Sequence, residues 1–233
     1  SYADADLPEE RKVDLLTIQL EAFADFSRFT GVEGVDWESA YGTYHALESE
    51  SYTGNLITNI FAGGTVDTER AFLTGYTDLW NFRTNTNSYG WYFGSQGYTV
   101  EGSHPSYDWF YNRRNVNGYL GIPTYYFLEN RYSELSPVTI APDSILFQEI
   151  YNLYAANRDG AGGPYFSFNV TYQGHGPYDT EEVWRGDHYT DGRYSMETAN
   201  IVDNYLGSVA DTAEQLAVLV DRLRQEERPV VLV

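Results

Sequence analysis

An α/β domain with a mostly parallel central sheet sandwiched by helices is the architecture this sequence predicts. Three observations carry the expectation. The run Val13-Asp-Leu-Leu-Thr-Ile-Gln-Leu20 is nearly continuous in apolar residues and bounded by charge, which suits a strand buried on both faces of a parallel sheet. A second run, Gly163 to Tyr172, has the same character. Stretches of helical character over 36–50, 66–74, 142–157 and 195–227 separate and follow them, and strands alternating with helices indicate an α/β sandwich.

The elements follow in order. Residues 1–12 are polar and acidic and read as a linker, leaving 13–233 as one domain, a length that supports a single sizeable core. Glu21 stands at the C-terminal end of the first strand, where open α/β sheets place their ligands. Leu56 to Phe61 is a short apolar piece after a turn. Ala62-Gly-Gly-Thr65 then leads into a helix over Val66–Thr74, with Asp67 and Glu69 in its first turn and Gly75 as its C-cap. Tyr98 to Val100 reads as a second strand leading to His104, and Tyr107 to Asn117 as a short helix. Pro142 opens a helix that runs to Asn157. The strand Gly163–Tyr172 delivers His175. Ser195 to Glu227 reads as a long helix broken near Gly207, and Pro229 to Val233 as the opening of one more core strand.

Composition narrows the chemistry. Hydrophobic content of 42% and charged content of 21% are those of a folded globular protein. A formal charge of −20 repels nucleic acid, and it makes an anionic substrate awkward unless a cation sits in the site. The chain has no cysteine, which removes disulfides, thiolate metal sites, cysteine nucleophiles and cysteine-derived formylglycine together. Twenty-two Tyr and five Trp leave two readings open: a Tyr-rich core, or a cleft lined by rings with polar edges, as carbohydrate and polyol sites often are. No run of about eighteen apolar residues offers a membrane span.

Gly63-Gly64-Thr65 sits at the mouth of a predicted helix, where free N–H groups and the helix dipole favour an anion. A hydroxyl there is placed to attack or hold a phosphoryl group, although a plain threonine cap would look the same in sequence. Glu21 is a candidate metal ligand. His104 and His175 each follow a predicted strand, and Arg113 and Arg114 are adjacent arginines in an acidic chain. Arginine is the residue for bidentate phosphate contact. The sequon Asn169-Val-Thr171 falls inside a predicted buried strand and is discounted.

The segments Gln19-Leu-Glu21, Gly63-Gly-Thr-Val-Asp-Thr-Glu69, Phe72-Leu-Thr-Gly75, His104-Pro105, Phe110-Tyr-Asn-Arg113 and His175-Gly-Pro-Tyr178 occur in that order. This series resembles the lipoteichoic acid synthase family of phosphoglycerol transferases, within the sulfatase and alkaline phosphatase superfamily, from about residue 13 to the end. The resemblance implies an alkaline phosphatase/sulfatase-like fold and a divalent metal, Mn2+ or Mg2+. It implies Thr65 as nucleophile and metal ligand, Glu21 as a second metal ligand, and His104, Arg113 and His175 as holders of the glycerophosphate group. Tyr111 stands where the family commonly has tryptophan, so it implies stacking on glycerol in altered form. Asp143, in Ala-Pro-Asp-Ser, resembles a family helix start and reads as a cap.

The implied substrates are a phosphatidylglycerol-type headgroup and a polyglycerophosphate acceptor, handled outside a bacterial membrane by a protein whose anchoring segments lie outside this chain. The family's last metal ligands are an Asp-His pair after a late strand. Gly186-Asp187-His188 matches in letters but has no strand before it and is not expected to bind the metal. The true pair is expected just past Val233, making this chain the larger, N-terminal part of the domain and inactive alone. Rival readings are a related phosphodiesterase or phosphoethanolamine transferase and a non-catalytic polyol-binding module. A true sulfatase fits poorly, since Thr65-Val-Asp-Thr-Glu69 lacks the cysteine or serine that becomes formylglycine.

Overall fold

The computed structural model describes residues 6–29, 31–58, 60, 63–77, 82–160 and 162–233. Five strands form one sheet: β1 Asp14–Gln19, β2 Thr99–Ser103, β3 Thr124–Tyr126, β4 Tyr165–Val170 and β5 Val230–Leu232. Their order is β3-β2-β4-β1-β5, and every pairing is parallel. The helices are α1 Trp37–Ser49, α2 Thr65–Thr74, α3 Tyr89–Ser95, α4 Arg113–Tyr119, the single turn α5 Ser133–Leu135, α6 Asp143–Asp159 and α7 Met196–Leu223. The predicted α/β sandwich is therefore the observed one.

β4 lies at the centre and is buried along its whole length. Its alternation sorts the core into two layers. Phe166, Phe168 and Val170 join Leu73 of α2 and Val116 of α4 on one face. Tyr165 joins Leu146, Phe147 and Ile150 of α6 and Leu219 and Leu223 of α7 on the other. Each such side chain contributes roughly 1.5–3 kcal/mol relative to exposure. A third cluster packs Ala40 and Tyr41 of α1 against Leu206 and Val209 of α7. Leu7 packs partly against the first layer, and its N–H donates to Gln96 Oε1 at 2.7 Å.

Several expectations need correction. The helix expected over Tyr107–Asn117 is a 3-10 turn, Phe110–Asn112, followed by α4, because Tyr111 and Asn112 take left-handed backbone with φ 55° and 57°. α7 runs unbroken through Gly207. The glycine is there for close packing: a Cβ would lie 2.2 Å from the Arg185 carbonyl oxygen. Asp143 is no cap, since Pro142 holds the N-cap position and Asp143 is fully buried inside the first turn. Leu56 to Ile60 forms no regular element, and Phe61 lies outside the described residues. β1 is less enclosed than expected: Leu15, Ile18 and Gln19 are only partly buried. Asn169 and Thr171 are buried as expected. Asn169 Nδ2 donates to the Thr17 carbonyl at 3.1 Å, and its Oδ1 accepts from Ser103 Oγ at 2.9 Å.

Candidate active site

The sheet order places the C-terminal ends of β2, β4 and β1 side by side. Glu21 follows β1, His104 follows β2 and His175 follows β4, so the sheet gathers three residues that are far apart in sequence. α2 opens beside them. Gly64, at φ 82°, is the N-cap of α2 and needs the left-handed freedom of glycine to turn the chain into the helix.

Thr65 is the first helical residue, and its hydroxyl does not cap. It donates to Glu21 Oε1 at 2.5 Å. The same two segments are tied again by Gln19 Nε2, which donates to the Thr65 carbonyl at 3.2 Å. Glu21 is itself anchored by its N–H to Thr171 Oγ1 at 2.8 Å, at the end of β4. Burial raises the Glu21 carboxyl above its ordinary range, with the Thr65 hydroxyl pulling the other way. Its second oxygen, Oε2, is buried without a partner. A buried carboxylate oxygen left this way is costly. Together with Thr65 Oγ1 it offers two hard oxygen donors, which suit a divalent cation such as Mg2+ or Mn2+.

Arg113 is 2% exposed, and its charge is met within the protein. Its Nε and Nη2 donate to Glu69 Oε2 and Oε1 at 3.1 and 2.6 Å. Burial works against the charge on Arg113, and the Glu69 pairing outweighs it. Nη1 faces His104 Nε2 at 3.1 Å, while His104 Nδ1 faces the Val170 carbonyl at 3.1 Å. The ring therefore donates through Nδ1 and accepts through Nε2. Burial, and then the Arg113 charge, push His104 down to about 3, so it is neutral. Both of its nitrogens are committed. Of the five guanidinium N–H donors, three are engaged and two remain for a ligand.

His175 is exposed and stacks on Tyr172, with centroids 4.9 Å apart and planes at 8°. Tyr172 in turn lies 5.8 Å from the His104 ring. Glu21 is within electrostatic reach of His175, Arg113 and Glu69. The Tyr111 ring lies 5.3 Å from the Arg113 guanidinium, and its carbonyl accepts from Arg70 Nη2 at 3.1 Å. The structure thus brings Glu21, Thr65, His104, Tyr111, Arg113 and His175 into one region. Sequence reasoning missed Tyr172 and the pairing of Glu69 with Arg113. Tyr172 carries no spacing signal among so many tyrosines, whereas Glu69 lies four residues after Thr65, one helical turn along the same face.

Asp187 and His188 are elsewhere. His188 Nδ1 lies 2.7 Å from Ser39 Oγ on α1, and the N–H groups of His188 and Tyr189 donate to Asp203 Oδ1 on α7 at 3.0 and 2.8 Å. Among the described residues, Asp25, His45 and Glu48 also converge as possible metal ligands. Arg28 already pairs with Asp25 at 2.7 Å and with Glu48, so this group is an ion-pair cluster.

An all-parallel sheet carrying its polar residues at the strand ends, with a helix N-terminus aimed among them, is the arrangement of the alkaline phosphatase and sulfatase superfamily. The sulfatase family model matches residues 23–233, and the chain belongs to that family. It is similar to the lipoteichoic acid synthase LtaP of Listeria monocytogenes, with 19% identity and a TM-score of 0.72 over 91% of this chain and 52% of that one. It is similar also to the Streptococcus pyogenes phosphoglycerol transferase GacH in complex with sn-glycerol-1-phosphate, with 16% identity and a TM-score of 0.76 over 97% and 61%. The zinc complex of the C-terminal periplasmic domain of EcEptC from Escherichia coli matches with 13% identity and a TM-score of 0.65 over 95% and 62%. A curated relative, the putative cyclic beta-1,2-glucan modification protein of Rhizobium meliloti (strain 1021), is 25% identical over 232 residues, which is 95% of this chain and 35% of its own length. The chain thus spans about a third of that relative and about half to three fifths of these structures. Among the described residues no helix is long and apolar enough to cross a membrane.

Proposed function

We propose that this chain supplies the nucleophile and part of the substrate site of a metal-dependent phosphoglycerol transferase acting outside a bacterial membrane. The observation that carries the reading is the Thr65 hydroxyl held 2.5 Å from Glu21 Oε1 while Glu21 Oε2 is buried and unpartnered. A cap would leave that hydroxyl on the helix N–H groups. Glu21 and Thr65 would hold a divalent cation, Mn2+ or Mg2+. When bound, such an ion lowers the pKa of the threonine hydroxyl and offsets the charge of an approaching phosphodiester.

Thr65 Oγ1 forms a bond to the phosphorus of a phosphatidylglycerol-type donor as the bond to diacylglycerol breaks. The proton lost from Thr65 matches the one taken up by the departing alkoxide. The two free N–H donors of Arg113 bind the phosphoryl oxygens, with Glu69 and neutral His104 fixing the guanidinium in place. His104 therefore acts through Arg113. His175, stacked on Tyr172, and Tyr111 border the glycerol. The acceptor is a hydroxyl of a cell-envelope polymer or glycan, a reading supported by the likeness to GacH, a phosphoglycerol transferase, and to the rhizobial protein named for cyclic beta-1,2-glucan modification.

The test is intact-protein mass spectrometry with phosphatidylglycerol and Mn2+. A glycerophosphate adduct on Thr65, absent from Thr65→Ala, is expected. No adduct in the protein carrying the complete ligand set would overturn the reading.

A further inference from the structure

Tyr107, Trp109, Phe110 and Tyr111 present four rings within five residues, with successive centroids 5.5, 5.7 and 4.4 Å apart. They are 37%, 65%, 38% and 40% exposed, in a segment whose neighbours Ser106, Asp108 and Arg113 are buried. A continuous exposed aromatic surface of this kind marks a place where something binds.

The shelf is rigid. Asn112 N–H donates to the Trp109 carbonyl at 2.9 Å, and Phe110 N–H to the Tyr107 carbonyl at 3.3 Å. The Asp108 N–H donates to Glu129 Oε2 at 3.1 Å, and its carboxylate pairs with Arg114. Tyr111 and Asn112 are both held in the left-handed region, which costs about 1–2 kcal/mol for each non-glycine residue. Strain maintained at the rim of a site indicates that the presented geometry matters. Rings fixed in advance lose little entropy when a ligand arrives.

The shelf is continuous with the site. Tyr111 carries the Arg113 guanidinium 5.3 Å from its ring, and Tyr172 is within electrostatic reach of Glu21, Arg113, Tyr107 and Tyr111. Its edges are polar: among the described residues the Trp109 Nε1–H and the Tyr107 hydroxyl have no hydrogen-bond partner. Rings with open donors at their edges match the C–H face of a pyranose flanked by hydroxyls. They match an acyl chain poorly, because it would leave those donors dry. An anionic polymer is disfavoured as well. Of the nearby cations, Arg114 is paired with Asp108, and Arg70 donates to the Tyr111 carbonyl. Arg113 is paired with Glu69 with its two remaining donors assigned to the phosphoryl group, while the chain carries −20.

We infer that the Tyr107–Trp109 shelf is the acceptor subsite for an uncharged glycan. The inference rests on the transferase reading for its chemistry: the glycan hydroxyl oxygen forms the new bond to phosphorus, the Thr65 Oγ1–phosphorus bond breaks, and the hydroxyl proton returns to Thr65.

The experiment is calorimetric titration of the chain with a neutral β-linked glucan pentasaccharide, beside the Thr65 adduct assay. Wild type and Thr65→Ala bind alike. Trp109→Ala binds about tenfold more weakly or worse, and Trp109→Phe within about threefold of wild type. Trp109 is a surface side chain, and circular dichroism confirms that the variants fold. Absence of binding to wild type, or equal binding by Trp109→Ala, overturns the inference. So does a polyglycerophosphate oligomer that binds the shelf more tightly than the glucan. A Thr65 adduct without Trp109-dependent binding removes the shelf and leaves the transferase. Trp109-dependent binding without an adduct supports the shelf and removes the transferase.

Discussion

Glu69 grips Arg113 through both carboxylate oxygens, at 2.6 and 3.1 Å, in a pair that is almost wholly removed from solvent. Glu69 lies one turn after Thr65 on α2. The helix that presents the Thr65 hydroxyl therefore also holds Arg113, and neither can shift without the other.

Breaking this pair on one side is expected to be costly. Glu69→Gln leaves a buried guanidinium without its counter-charge, and chemical denaturation should show a loss of about 3–5 kcal/mol. Replacing Glu69 and Arg113 together by Met and Leu should recover much of it. Strict additivity in that double-mutant cycle would show that the two side chains are not coupled.

Divalent cations should stabilise this chain only weakly. Glu21 and Thr65 contribute two oxygens, whereas tightly held ions of this kind take about six or more. Thermal unfolding is expected to shift only at about millimolar Mn2+ or Mg2+, and Glu21→Ala should abolish the shift. A shift that survives in Glu21→Ala would place the ion elsewhere, with Asp25, His45 and Glu48 the first group to test.

Asp143 makes stability fall with rising pH. Burial pushes its carboxyl up to about 7, one oxygen accepts from Thr212 Oγ1 at 2.6 Å, and the other has no partner. The folded state holds this proton more tightly than the unfolded state does. The contribution is therefore fully present below the unfolded value near 3.8 and is lost as pH climbs through about 7. Asp143→Asn keeps the acceptor for Thr212 and removes the titration. Its melting temperature should exceed wild type at pH 8, by up to a few kcal/mol of stability, and match it near pH 4. Parallel pH profiles for the two proteins would contradict this account.

Gly207→Ala should destabilise by about 1–3 kcal/mol, measured as a lower urea midpoint with an unchanged slope. The added methyl meets the backbone of Arg185 and not a flexible side-chain tip. Arg185 is itself held to α7 by ion pairs to Asp211 and Glu214, each at 2.8 Å. A neutral result would show that the 184–188 segment moves away freely.

The elements that could be read from sequence were those whose burial is written in composition. β1, β4 and α2 declare themselves through apolar runs, flanking charge and the glycines around Thr65. α3, Tyr89–Ser95, is aromatic on most sides and contains two glycines, so it shows neither period nor propensity. β3 is only three residues long and depends on β2 for its identity. Gly207 looked like a helix break because packing against Arg185 lies beyond local sequence. Asp143 looked like a cap because its acceptor role toward Thr212 spans 69 positions. The gathering of Glu21, Thr65, His104, Arg113 and His175 at one end of the sheet could be anticipated from their order in the chain. Their mutual wiring could not: the engagement of His104 with Arg113, and of Arg113 with Glu69, depends on strand order in the sheet.

That strand order also sets a timetable for a chain made from its N-terminus. β1 sits between β4 and β5, so the segment bearing Glu21 has no strand to join until residues 165–170 have been synthesised. At about 5–20 residues per second that wait is on the order of ten to thirty seconds. During it the earliest apolar run is unsheltered, and the Glu21–Thr65 contact has no frame to form on. The β1 segment of a nascent chain therefore stays without a strand partner until β4 has emerged.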